Sequence, residues 1–176
     1  MRTGLALFLG VVLAVTPALA QGKTKSSPVA EAVAALDVCE AFARFDDGAL
    51  EAAKAAGWDA YDQDSESPFV TQFAASRELP GIGWADILVL QESYPDYDFG
   101  YCRLDTMEPS GDGKAVIAAL AALDRYKGEV VEEGDGSYAS LSGTGEPATM
   151  LMTHWANGSF VLQLTTITPK TAPSQE

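Results

Sequence analysis

Two cysteines, Cys39 and Cys102, constrain this chain more than any other feature of its sequence. In an exported protein, a lone pair of cysteines reads as one disulfide. The loop closed here is roughly 64 residues, for which chain-entropy arithmetic gives about 4 kcal/mol of stabilisation. Their spacing is far too long for a C-x-x-C redox motif, so the pair reads as structural. Local patterns say what the bond must join. In "SPVAEAVAALDVCEAFARFD", Ser27 is an N-cap and Pro28 a first helical residue, and Cys39 lies mid-arc among Ala32, Ala35, Leu36, Phe42 and Ala43. Cys102 lies instead in "DFGYCRLDT", an alternating segment that reads as the second strand of a hairpin turning at Tyr94-Pro95-Asp96-Tyr97. The expected bond therefore runs from helix to sheet.

Export itself is read from residues 1–20, "MRTGLALFLGVVLAVTPALA". Arg2 supplies the positive start, Leu5 to Val15 the apolar core, and Ala18-Leu19-Ala20 a small-residue cleavage site before Gln21. That core is shorter than the about 20 residues a membrane span needs, and no later segment approaches that length. The expected product is a periplasmic or secreted protein with no membrane span after cleavage. Residues 21–27 form a polar leader, 28–168 one folded domain, and 169–176 a polar tail.

A second helix is expected in "DDGALEAAKAAG", capped by Asp46 or Asp47, followed by an acidic loop, "WDAYDQDSESP". "PFVTQFAAS" reads as a further turn or two of helix. "ADILVLQES" begins the strands, and "GKAVIAALAALDRYKG" is a helix with Gly128 as its stop. "GEVVEE", "SYASLS", "ATMLMTHW" and "SFVLQLTTIT" complete a meander. No internal repeat is visible. The fold class is α+β: an antiparallel sheet of five or six strands with helices packed on one face and one disulfide.

Asn157-Gly158 between two alternating apolar runs predicts a type I′ hairpin. It sets Trp155 opposite Phe160, Thr153 opposite Leu162 and Leu151 opposite Leu164 on the core face. Met150, Met152 and His154 then share the other face. Their soft thioether and imidazole groups suit Cu(I). This strand resembles the Met-x-Met strand of small periplasmic copper-binding proteins, which use methionines with a histidine and a nearby tryptophan. The resemblance covers five residues. It implies a copper site, with Met150 and Met152 about 7 Å apart as its better half; His154 lies about 13 Å from Met150, and Trp155 faces away.

The chain carries 25 acidic against 11 basic residues, a net charge of −14. Such a surface repels nucleic acid and favours a basic partner. Asp59, Asp62, Asp64 and Glu66 do not make a calcium loop, since the required glycine and glutamate positions are Ser67 and Phe73. The sequence lacks a G-x-S-x-G elbow, a P-loop and an H-E-x-x-H pair, which leaves only a hydrolase of unfamiliar mechanism as an enzymatic reading. Tyr94, Tyr97, Phe99 and Tyr101 cluster on the first hairpin, with Phe99 and Tyr101 opposite Cys102 in the alternation. Aromatic hairpins rimmed by acids suit protein recognition. The leading expectation is thus a non-catalytic binding module (an inhibitor, immunity or accessory subunit) that engages another envelope or secreted protein and needs no cofactor. Copper handling by Met150 and Met152 is the alternative.

Overall fold

The computed structural model describes residues 26–170, apart from 66, 68 and 69. The expected signal segment, residues 21–25 of the polar leader and residues 171–176 of the polar tail lie outside the described residues. Helix α1 (Pro28–Ala43) starts where Ser27 Oγ accepts from the Ala30 amide at 3.2 Å, as its cap chemistry predicts. Helix α2 (Ala49–Ala55) follows a left-handed Gly48, with no side-chain cap from Asp46 or Asp47. Four strands come next: β1 (Asp59–Gln63), β2 (Val70–Leu79), β3 (Gly83–Ser93) and β4 (Tyr97–Met107). Helix α3 (Gly113–Ala121), capped by Asp112, leads into β5 (Tyr126–Glu133), β6 (Gly136–Gly143), β7 (Ala148–Ala156) and β8 (Ser159–Pro169).

All eight strands join one antiparallel sheet in the order β1-β2-β3-β4-β8-β7-β6-β5. The class is the expected α+β, but the sheet is wider than five or six strands. The two additions are β1 and β2, read from sequence as an acidic loop and a short helix. Their alternation is masked by residue type. Phe73, Ala75 and Leu79 face the helices, but so does Arg77, a charged residue at a core-facing position. It is tolerated because buried Glu31 of α1 sits 3.0 Å from its guanidinium, which also donates to the Ala56 carbonyl and covers the Trp58 ring. The third helix also ends earlier than expected, at Ala121. Tyr126 is needed in the core, where its hydroxyl donates to Glu40 at 2.6 Å, and Gly128 lies so close to β6 that a β-carbon would sit 2.1 Å from the Ser140 carbonyl oxygen.

The chain follows one path twice. Helices α1 and α2 precede the meander β1–β4, helix α3 precedes the meander β5–β8, and the last strand of each half pairs at the centre. Helices α1 and α3 touch each other and lie on the same face, α1 over β3, β4 and β8, α3 over β5, β6 and β7. Between them and the sheet lies the core: Leu36, Cys39, Phe42, Val89, Leu104, Ile117, Leu120, Leu151, Leu162 and Leu164. Cys39 and Cys102 are joined across that layer with Cα atoms 5.3 Å apart. A disulfide of this kind belongs to oxidising, extracytoplasmic compartments. Among the described residues, no helix is long and apolar enough to cross a membrane.

The final hairpin has the expected register, Leu151 with Leu164, Thr153 with Leu162 and Trp155 with Phe160. Asn157 and Gly158 both adopt positive φ, 52° and 71°, as a type I′ turn demands.

Candidate functional site: the helix-free face of the sheet

Because both covering helices lie on one side, the other side of the eight strands carries no helix among the described residues. Strand alternation decides what stands there. Strand β4 contributes Tyr97, Phe99, Tyr101, Arg103 and Asp105; β3 contributes Trp84, Asp86, Leu88 and Leu90. From β7 come Met150, Met152 and His154, and from β8 Gln163, Thr165 and Ile167. The pairing aligns these into rows across the sheet. One row runs Tyr61, Ala74, Leu88, Arg103, Gln163, Met152 and Ser140. Its neighbour runs Gln72, Leu90, Tyr101, Thr165, Met150 and Ser142.

Several apolar side chains of this face stand exposed among the described residues. Leu88 is 41% exposed, Met150 52% and Met152 49%, and Trp84, Tyr61 and Ile167 are also exposed. Leu90, Phe99 and Tyr101 are half-buried between them. Acids border this surface: Asp59, Asp86 and Asp105 fall in one further row, with Asp86 and Asp105 direct cross-strand partners. Arg103 forks onto Asp105 with two bonds of 2.7 Å, and its third nitrogen donates to Gln163 at 3.2 Å. That hydrogen bonding raises the Arg103 pKa further and keeps the cation in place. Asp86 accepts from the Trp84 indole N–H at 3.2 Å.

The aromatic residues singled out in the sequence divide between two places. Tyr94 and Tyr97 stack at the hairpin tip with ring centroids 4.7 Å apart, and the Tyr94 hydroxyl donates to Glu92. Phe99 and Tyr101 lie further down β4, on the side opposite Cys102. The tip is pinned by Lys170, whose ammonium donates to Ser93 Oγ and the Tyr94 carbonyl, both at 2.7 Å, and lies 2.9 Å from Asp98. Burial works to raise the Asp98 pKa, but bonds from Ser93 and Lys170 outweigh it and hold the carboxyl below its ordinary value.

Met150, Met152 and His154 do share the open face, as the hairpin register requires. Met152 and His154 line a shallow hollow of about 230 Å³ with Val131, Tyr138 and Glu129. The His154 ring leans on Tyr138, centroids 5.8 Å apart. Burial chiefly, then the Arg103 charge, lowers the His154 pKa against a weaker opposing pull from Asp105, so the neutral imidazole is favoured. Among the described residues, no group of three His, Cys, Asp or Glu side chains is gathered to hold a metal ion.

Sequence reasoning missed Trp84, Leu88, Leu90, Arg103 and Asp105 as members of this surface. Each is an ordinary alternate residue of a strand. Only the cross-strand register lines them up with the aromatics of β4 and the methionines of β7.

Comparison with known proteins finds no matching family model, no matching curated protein and no matching solved structure.

Proposed function

We propose that this protein is a non-catalytic binding module of the periplasm or extracellular space, and that the open face of its sheet receives a basic protein partner. One observation carries the reading: among the described residues no helix covers this broad face, where Met150 and Met152 stand exposed side by side, Leu88 stands exposed beyond Arg103 and Gln163, and Asp59, Asp86 and Asp105 occupy the next row. Exposed apolar groups that adjoin one another mark interaction surfaces, whereas isolated ones do not. The half-buried aromatics of β4 offer anchors at low entropy cost, and the acidic border would steer a basic partner toward them. The leader-like first 20 residues and the disulfide support the extracytoplasmic address. An inhibitor, an immunity protein and an accessory subunit would all use such a face.

The test compares envelope proteins captured by the native chain, by Met152→Arg, by Tyr97→Ala, and by a helix-side control, Lys54→Glu. A basic partner kept by the control, lost with Met152→Arg and weakened by added salt supports the proposal. Equal capture by Met152→Arg and the native chain would overturn it.

The exposure of Met150 and Met152 favours a second reading, in which the two thioethers bind Cu(I) with the neutral His154 beside them. Titration with Cu(I) under reducing conditions distinguishes it. Binding should vanish when both methionines are changed to leucine, which preserves shape and removes sulfur; binding that persists defeats this reading.

A further inference from the structure

The two edges of the sheet differ. Strand β1 is five residues, Asp59–Gln63, while β5 is eight, Tyr126–Glu133, and is exposed along its whole length after Tyr126. It pairs with β6 on one side only, so half of its backbone ladder faces outward. Val130 and Val131, on opposite sides of the strand, are 42% and 55% exposed. An edge of this length is a template for another strand unless charge or shape blocks it.

We propose that β5 pairs antiparallel with β5 of a second copy, about a two-fold axis at Val130, so that one sheet runs through both molecules. The side-chain pattern "YKGEVVEE" selects this register. Opposed residues in an antiparallel pair share a face, so the self-pairing must be centred on a residue. Centred on Val130, Lys127 of each copy faces Glu133 of the other, Glu129 faces Val131, Glu132 faces Gly128, and Val130 meets its twin. No acid opposes an acid. Centring on Glu129 sets that carboxylate against itself, centring on Val131 sets Glu129 against Glu133, and centring on Gly128 avoids such clashes but pairs only residues 126–130, against 127–133 for Val130. The other side-chain tie of this strand, Lys114 to Glu132 at 2.7 Å, joins it to α3 of its own chain and leaves the outer ladder open. The seam is made by the outer backbone edge of β5 and adjoins the open face at Glu129 and Val131, which line the hollow beside Met152 and His154.

The test is sedimentation of the purified protein over rising concentration, with hydrogen exchange of the β5 amides. A dimer is expected, with β5 amides slowing as it forms. Lys127→Glu places glutamate against Glu133 twice, and Glu133→Lys places lysine against Lys127 twice; each should raise the dimer Kd by about tenfold or more. Mixing the two variants restores both opposite-charge pairs and should return a heterodimer of near-native affinity, which also shows that both variants fold. A native protein that stays monomeric overturns the proposal, as does a dimer indifferent to the swaps or one that mixing fails to rescue. A foreign strand captured on β5 in place of a second copy also overturns it.

Discussion

The half of the sheet built from β1–β4 and the half built from β5–β8 follow the same path, yet they are tied to their helices differently. In the first half, the 16-residue α1 is bonded covalently to β4, and it approaches so closely that a β-carbon on Gly100 would sit 1.9 Å from the Ala43 carbonyl oxygen. In the second, the nine-residue α3 has no covalent tie; its first residue, Gly113, lies flat against the Trp155 ring, which itself leans on Phe160. The halves are tied across by charge. Glu40 of α1 accepts from Arg125 Nε at 2.7 Å and from the Tyr126 hydroxyl, while Asp37 meets the same guanidinium at 2.5 Å. Burial first, and then the bond to Glu40, hold the Tyr126 phenol well above its ordinary pKa. One repeated path can therefore be secured by a staple in one copy and by packing in the other, with a polar clamp joining them.

The sharpest way to break this contrast is to remove the staple. Replacing Cys39 and Cys102 together by alanine should lower stability by about 4 kcal/mol, read from denaturant midpoints. If the first half depends on the bond as described, amides of α1 and β4 should lose hydrogen-exchange protection before those of α3 and β6. Uniform loss would show that the halves unfold as one.

The clamp is a smaller term. Tyr126→Phe deletes one hydrogen bond to a carboxylate that keeps Arg125, and should cost about 1 kcal/mol in thermal or denaturant unfolding. A double-mutant cycle with Glu40→Gln should show coupling between the two positions, because both act through the same bond.

The smallest effect concerns His154, which brings the second half near Arg103 and Asp105 of the first across the open face. Its folded pKa lies below the ordinary 6.5, so the unfolded chain takes up the proton first. The stability associated with the neutral ring is fully present above that value and is lost as the pH falls through it toward the lower folded pKa. His154→Gln should therefore lose less stability than the native protein between about pH 7.5 and about pH 5. Equal losses would show that His154 titrates as it would in a free peptide.

Much of the architecture was legible in residue order because it depends on local chemistry. Ser27-Pro28 begins α1, Asn157-Gly158 sets the register of the last hairpin, and an arc of small apolar residues turns Cys39 inward. These signals act within a few residues of themselves, so the chain carries them whether or not it is folded. Strands β1 and β2 were hidden because their pattern depends on distant partners: Arg77 counts as a core-facing residue only once Glu31, 46 positions earlier, lies against it. The twofold path was hidden for a related reason. Chain direction and strand order can repeat without any residue recurring, since a core accepts many apolar combinations.

The same distinction holds for the candidate site. Alternation by itself determined that Met150, Met152 and His154 share a face, and that Phe99 and Tyr101 oppose Cys102. It could not determine which face the helices would cover, nor that β4 and β8 would meet at the centre and bring residues from both halves onto one surface. Side-chain alternation is a property of the backbone over two residues, whereas exposure depends on what packs against a strand from far along the chain, and only the tertiary structure decides that.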